Sequence, residues 1–368
     1  KNMNKTAKFV VGIIVVALLI WIVGFKKKSS DPTTTDPVRI GVIAGTTGQY
    51  AQAGEGYVKG FSLALEQWNN SDKDPKFEAI FEDDGFEAAK GLSAYKKLSG
   101  PDQVEVYAIL SSFAVDAIYD LLHQEGRPVA LGFEQSRPAE DDNIFQVLPA
   151  AKPVQFGLGQ KVKDLEYKKP VAAVSNQTSV YQNFYDGFLA GYGGEVQKFE
   201  IGTDIGGIRS QALAIVASKP DVVAFFMTPK EGALLVKELL KITSQAERPA
   251  FVFDQSIQSG AVNYQSVLAS EITKLDGSLV SMSKNDFTSD FLEAYKLKYQ
   301  EDPPFISDMG YNAFLLIAST YNSNSATWIS NMEKARFVGA DGEVYFDEAG
   351  LRVPNIFFGT LKAGVVES

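Results

Sequence analysis

The chain has 368 residues, with 35 Lys and Arg, 45 Asp and Glu, one His and no Cys. This length suggests two domains, and the hydrophobic fraction of 45% is enough to build their cores. The lack of Cys excludes thiol nucleophiles, disulfides and Cys-based zinc sites, and the single His123 excludes a multi-His metal site. The net charge of −10 argues against nucleic acid as a partner, because phosphates are neutralised by Lys and Arg.

An apolar stretch near the start of the chain has the character of a membrane anchor. Residues 9–25 read FVVGIIVVALLIWIVGF, without a charged side chain, and three Lys lie on each side. A helix of this length spans about 25 Å, near the lower limit for crossing the hydrocarbon core. Because no small-x-small cleavage site follows, we expect residues 1–28 to form an uncleaved anchor. A signal peptide cut at a weak site is the alternative.

The segment after the anchor predicts a spacer. Residues 29–37 read SSDPTTTDP, which is polar, punctuated by Pro and typical of an extended linker. The equal Lys counts on the two sides of residues 9–25 do not orient the anchor by the positive-inside rule.

The rest of the chain alternates β-rich runs with amphipathic stretches. In its first half, strands are predicted at 38–44, 77–81, 106–110 and 128–131, and helices at 56–69, 88–98 and 112–123. In its second half, strands are predicted at 170–175, 196–201, 222–227 and 250–253, and helices at 180–192, 211–218 and 232–242. This order predicts an α/β protein with two parallel sheets and right-handed crossovers.

Polar residues follow several of these strands, at the sheet edge where ligands bind in parallel α/β folds. Ser111 and Ser112 open a helix after the third strand, an arrangement suited to a carboxylate. Asp254 follows the strand at 250–253 and would face an ammonium group. The alternative for each is an ordinary helix cap or loop residue.

Other kinds of site find little support in the sequence. No G-x-G-x-x-G follows the first strand and no P-loop motif occurs, so a nucleotide site is not favoured. We find no nucleophile–base pair and no metal-ligand cluster. We therefore expect no cofactor, no metal and no catalysis.

Several segments, taken in chain order, resemble a known family. They are VRIGVIAGTTGQY, FEAIFEDDGFEAAK, YAILSSFAVDAI, SKPDVVAFFMTPKEGALLVKEL and GADGEVYFDEAGLR. From about Val38 to the C-terminus, the chain resembles the substrate-binding proteins of ABC importers, in particular the branched-chain amino acid and amide family. That family has the type I periplasmic-binding fold.

The resemblance implies two Rossmann-like lobes with parallel sheets, joined by a hinge of three crossings. We expect the crossings near residues 148–153, 277–283 and 352–355. Lobe 1 would comprise residues 38–148 and 281–352, and lobe 2 residues 149–280 and 353–368.

The resemblance also implies that the Ser-Ser turn meets a ligand carboxylate and that Asp254 meets an amino group. This chain departs from the family after the fourth strand, where Phe133 and Glu134 are bulky and acidic, and at Thr228, where an aromatic residue is common. Glu134 would either favour a cationic ligand or point to solvent. The expected ligand-binding residues are Tyr50, Ser111, Ser112, Gln135, Tyr181, Thr228 and Asp254.

The function implied by the resemblance is solute capture. A small polar ligand, an amino acid or an amide, would bind between the lobes and be delivered to the permease and ATPase of an ABC importer. The binding domain would lie on the outer face of the cytoplasmic membrane, held there by residues 9–25. The alternative is a ligand sensor that signals through a membrane partner.

Overall fold

The structure, a computed structural model, describes residues 36–367 except 49, 141, 178, 255, 260, 284–286 and 305. The predicted anchor at residues 9–25 lies outside these residues. Among the helices that the structure does describe, none has the length and apolar character needed to cross a membrane.

The first half of the chain builds one parallel sheet. Its strands are β1 (Val38–Ile43), β2 (Phe77–Glu82), β3 (Val106–Ile109), β4 (Val129–Leu131), β5 (Ile144–Pro149) and, from the far end of the chain, β13 (Leu351–Arg352). They lie in the order β13-β5-β4-β3-β1-β2, and every pair is parallel. The helices between them are α1 (Ala51–Asn69), α2 (Ala88–Ser99) and α3 (Ser112–Glu125).

The second half builds another sheet. Its strands are β6 (Pro170–Ser175), β7 (Gln197–Ile201), β8 (Val222–Phe226), β9 (Ala250–Phe253), β10 (Leu279–Ser283), β14 (Ile356–Lys362) and β15 (Val365–Glu367), in the order β15-β14-β10-β9-β8-β6-β7. Strands β14 and β15 are antiparallel to their neighbours and the others pair in parallel. Its helices are α4 (Ala151–Asp164), α5 (Val180–Tyr192), α6 (Ile205–Ala217), α7 (Pro229–Ile242), α8 (Ser256–Ser259), α9 (Ala261–Leu268) and a 3-10 helix (Ala269–Leu275).

The chain then returns to the first sheet. Helices α10 (Ser289–Tyr299), α11 (Ser307–Thr320) and α12 (Ser325–Glu333) precede a hairpin of β11 (Arg336–Gly339) and β12 (Gly342–Tyr345). Helix α11 packs on α1 so closely that a Cβ at Gly60 would lie 1.7 Å from the Ser307 carbonyl oxygen. The contact therefore requires glycine at this position of α1.

Each sheet is buried on both faces, as expected for parallel strands. Along β3, Val106 and Ala108 pack into one apolar cluster while Tyr107 and Ile109 pack into another on the opposite face. The second sheet is likewise covered by two clusters. The α/β architecture with two largely parallel sheets agrees with the prediction.

Several helices begin earlier than their apolar periodicity predicted. Helix α1 begins at Ala51 rather than 56, and α6 at Ile205 rather than 211. The start of α6 is fixed by Asp204, whose side chain accepts a hydrogen bond from Gly207 N at 2.7 Å. Capping residues, which carry no apolar periodicity, set this boundary.

Strand β5 and helix α4 were not predicted. Strand β5 is buried along its whole length, so its sequence IFQVLP shows no alternation of apolar and polar residues. Helix α4 contains Pro153 in its first turn, where a proline costs no helical hydrogen bond.

The second crossing was expected near residues 277–283, but a strand of the second sheet occupies most of this range. Residues Leu279–Ser283 form β10, which pairs with β9 and β14 inside the second sheet. The boundary expected at 281 thus falls within a strand of the second sheet, and the chain leaves that sheet after Ser283. The two Ser residues in the sequence LVSMS obscured this strand.

A buried ion pair joins the hairpin to the third crossing. Arg352 donates to Asp341 Oδ2 at 2.9 Å, to the Val147 carbonyl at 3.2 Å and to the Glu343 carbonyl at 3.2 Å. The side chains of Arg352 and Asp341 are 5% and 0% exposed. This guanidinium therefore ties β5, β12 and β13 together.

We expect Arg352→Met to destabilise the protein by about 3–5 kcal/mol, because Asp341 would remain buried without its counter-charge. The matched control is Arg336→Met, which breaks the Arg336–Glu343 pair on the same hairpin. The two side chains of that pair are 64% and 50% exposed, so we expect only a small loss of stability. Urea denaturation measures both changes, and equal losses would contradict this assignment.

Candidate ligand-binding cleft

The predicted site residues lie where strands of both sheets end. Tyr50 precedes α1 after β1, Ser111 and Ser112 follow β3, and Gln135 follows β4 in lobe 1. In lobe 2, Tyr181 follows β6, Thr228 follows β8 and Asp254 follows β9. The carboxyl edges of the two sheets therefore bound a cleft between the lobes.

Contacts across this cleft bring the lobes together. Asn183 Nδ2 in lobe 2 donates to the Ser136 carbonyl in lobe 1 at 3.2 Å. Burial raises the pKa of Tyr50 in lobe 1, and the Glu231 carboxylate of lobe 2 raises it further. These two side chains therefore lie near each other. Burial raises the pKa of Tyr181, and Asp254, Tyr50 and Glu231 raise it further. Tyr50, Tyr181 and Asp254 therefore lie near one another.

The loops of lobe 1 are fixed by Asp83. Its Oδ1 accepts from Thr46 N at 2.8 Å, Thr47 N at 3.3 Å and Gly85 N at 3.0 Å. Its Oδ2 accepts from Thr47 Oγ1 at 2.6 Å. These bonds hold the loop after β1 against the loop after β2, next to Tyr50.

The two serines after β3 stabilise the turn in which they lie. Ser111 Oγ accepts from Ala114 N at 3.4 Å and is the N-cap of α3. Ser112 Oγ donates to the Glu134 carbonyl oxygen, which joins the ends of β3 and β4. The hydroxyl hydrogen of Ser112 is therefore already bonded within the protein.

Glu134 neither points to solvent nor lies free in the cleft. It is 3% exposed, and its carboxylate accepts from Ala151 N at 3.3 Å and from Gln146 Nε2 at 3.1 Å. Burial raises its pKa to about 8, against the opposing effect of these donors. Glu134 therefore joins lobe 1 to the first turn of α4, where the chain enters lobe 2.

Gln135 is also bonded within lobe 1. Its Nε2 donates to Asp142 Oδ2 at 2.7 Å and to the Arg137 carbonyl at 3.2 Å. Its backbone N donates to Gln146 Oε1 at 2.7 Å. The side chain is 2% exposed, so its amide is held in a fixed orientation.

Asp254 is the most distinctive group of lobe 2. It is fully buried, and its Oδ1 accepts from Ser256 N at 2.8 Å. Its Oδ2 has no hydrogen-bond partner among the described residues. Burial raises the pKa of Asp254 to about 6, although Ser256 opposes the shift. A buried carboxyl oxygen without a donor is suited to a donor on a ligand.

Glu231 was missed by the sequence analysis. It is 3% exposed and accepts from Gln177 Nε2 at 2.5 Å, Ser175 Oγ at 3.3 Å and Thr228 Oγ1 at 2.9 Å. Thr228 and Glu231 form a capping box at the start of α7, with Pro229 between them. The pattern T-x-x-E directly after a strand was the signal that could have found it.

The cleft contains no recognisable metal site. Within the described ranges, no group of three or more His, Asp or Glu side chains is arranged to hold a metal ion. The arrangement offers carboxylates, hydroxyls and aromatic rings for non-covalent binding.

Comparison with known proteins identifies the family. A sequence model described as periplasmic binding protein matches residues 37–364. The chain belongs to the periplasmic binding protein family, which confirms the resemblance seen in the sequence. A search of curated proteins finds no match.

Solved structures share the fold. A leucine-binding protein LivK from Thermotoga maritima is 18% identical, with a TM-score of 0.73 over 90% of this chain and 97% of that one. LivJ from Streptococcus pneumoniae, in complex with isoleucine, is 19% identical, with a TM-score of 0.71 over 90% and 98%. A solute-binding protein from R. palustris, in complex with benzoate, is 17% identical, with a TM-score of 0.71 over 90% and 95%.

Proposed function

We propose that this chain is an extracytoplasmic solute-binding protein that captures a small polar ligand between its lobes and delivers it to an ABC importer. An amino acid or an amide is the expected class. The observation that carries the proposal is Asp254, a buried carboxylate with an unpartnered oxygen, next to Tyr181 and across the cleft from Tyr50. LivK and LivJ, which share the fold, are named for leucine and branched-chain amino acid transport.

Hinged lobes give a physical mechanism for this function. Two bodies joined by few chain crossings open and close as rigid units. A ligand that touches both edges of the cleft binds the closed form more tightly, and this difference in affinity shifts the population. The closed form is the state that a permease would recognise.

A thermal-shift screen of the full chain in detergent tests ligand capture. The panel comprises amino acids, amides, polyamines, nucleobases and small carboxylates. A ligand at about 100 times its Kd stabilises the protein by about 2.7 kcal/mol, which raises the midpoint by several degrees. We expect at least one such compound. A folded protein with no response across the panel would contradict the proposal.

Delivery is tested separately from capture. We expect the ligand-loaded protein, reconstituted with an importer encoded beside its gene, to stimulate the ATPase of that importer. Ligand binding without any stimulation would instead favour the sensor function.

We also propose that residues 9–25 anchor the protein in the cytoplasmic membrane with the binding lobes outside. The support is the uncharged apolar sequence with Lys on both sides. We expect the full chain to stay with the membrane after alkaline carbonate extraction. Release of a shortened, soluble chain would favour the cleaved signal peptide.

A further inference from the structure

Three side chains among the candidate site residues already donate all of their hydrogen-bonding hydrogens within the protein. The Ser112 hydroxyl donates to the Glu134 carbonyl, and Thr228 Oγ1 donates to Glu231. Both Nε2 hydrogens of Gln135 are donated, to Asp142 and to the Arg137 carbonyl. A hydroxyl has one hydrogen and a primary amide has two, so these three side chains have none left for a ligand.

Acceptors, in contrast, are left over at the same edges. Asp84 Oδ2 after β2, Gln135 Oε1 after β4 and Asp254 Oδ2 after β9 have no hydrogen-bond partner among the described residues. All three side chains are at most 2% exposed. Buried acceptors are normally satisfied, so the cleft lacks donors that a ligand would bring.

The electrostatics point the same way. Burial is the main cause of the raised pKa of Tyr181, and the carboxylates of Asp254 and Glu231 raise it further. Burial and the Asp254 carboxylate also raise the pKa of Tyr264. No described Lys or Arg offsets these effects on the two tyrosines. Lys90 lies near Asp84, but it is exposed and pairs with Glu87 at 2.8 Å.

A ligand carboxylate would find a poor site. The donors that remain on the lobe 1 side are backbone N–H groups in the first turn of α3. A carboxylate placed there would lie beside the buried Asp84, because the Ser111 side chain at the start of α3 is close enough to Asp84 to lower its pKa by hydrogen bonding. Two adjacent carboxylates repel each other in a site of low polarity.

We infer that the ligand is an organic amine that binds as an ammonium ion and carries no carboxylate. Its ammonium group donates to Asp254 Oδ2 next to the ring of Tyr181, where a cation–π contact adds to the hydrogen bond. The inference rests on the proposed ligand-capture function and narrows its ligand class. It departs from the zwitterionic amino acid that the family resemblance implies.

Matched ligand series test this inference by isothermal titration calorimetry on the full chain in detergent. One series is leucine, 3-methylbutylamine and 4-methylpentanoate, and others pair lysine with cadaverine and tyrosine with tyramine. In the series whose side chain fits, we expect the amine to bind at least tenfold more tightly than the amino acid. We expect no binding of the carboxylate.

Two outcomes would overturn the inference. One is tighter binding of any amino acid or carboxylate than of its matched amine. The other is binding of a compound without an amino group in the broad thermal-shift panel while every amine fails. Either result leaves ligand capture intact, whereas failure of the whole panel would overturn ligand capture itself.

Discussion

Asp254→Asn should reduce ligand affinity by about 100-fold or more while it stabilises the unliganded protein. The affinity falls because the ligand ammonium loses a buried charge-assisted hydrogen bond. The stability rises because burial raises the pKa of Asp254 from 3.8 to about 6, which makes the ionised form costly. A shift of this size corresponds to about 3 kcal/mol as an upper limit.

The stabilisation by Asp254→Asn should depend on pH. The wild-type protein carries the full penalty above about pH 6, where folded Asp254 is ionised, and none below about pH 4, where both states are protonated. Stabilisation by Asp254→Asn should therefore appear at pH 7.5 and vanish at pH 3.5 in chemical denaturation. Affinity of the wild type for a cation should also weaken below pH 6, because the proton competes for Asp254.

Asp221→Asn is the matched control. Asp221 precedes β8, at the edge of the second sheet opposite the cleft, and it accepts from Lys168 N and Lys169 N. We expect it to leave ligand affinity within threefold of the wild type. If Asp254→Asn bound ligand as well as this control does, Asp254 would have no role in recognition.

The architecture was predictable because its signals are local. The alternation of β-rich runs and amphipathic stretches located β1, β6 and β9 to within a residue or two. Strands β5 and β10 were missed because Gln146 and Pro149 interrupt the apolar run of β5 and two serines interrupt that of β10. In both cases, the environment in the folded sheet, rather than a pattern in the sequence, defines the strand.

The strand ends that carry the candidate residues could be located from the sequence, but the hydrogen bonds of these residues could not. Strand ends placed Tyr50, Tyr181 and Asp254 at one cleft, as parallel-sheet topology requires. The sequence did not reveal that Ser112 donates to Glu134, because the two residues are 22 positions apart and meet only when β3 and β4 pair. Hydrogen bonds formed between loops decide which groups remain for a ligand.

Glu134→Gln should remove a large pH dependence of stability from the hinge. Burial raises the pKa of Glu134 from 4.5 to about 8, so the protonated form is favoured in the folded protein. The contribution of protonated Glu134 to the free energy of unfolding is fully present below about pH 4.5 and is lost as the pH rises through 8. The shift corresponds to a loss of about 5 kcal/mol as an upper limit.

The substitution should act only at high pH, because glutamine resembles the protonated acid and still accepts from Ala151 N. At pH 9 the variant should be more stable than the wild type by several kcal/mol, and at pH 4.5 the two should be equal. Glu348→Gln, at an exposed position, is the control and should follow the wild type throughout. Urea denaturation between pH 4.5 and 9 measures all three proteins. If the stability of the wild type and of Glu134→Gln changed with pH in the same way, the pKa of Glu134 would not be raised in the folded protein. The buried position of its carboxyl between lobe 1 and α4 would then be contradicted.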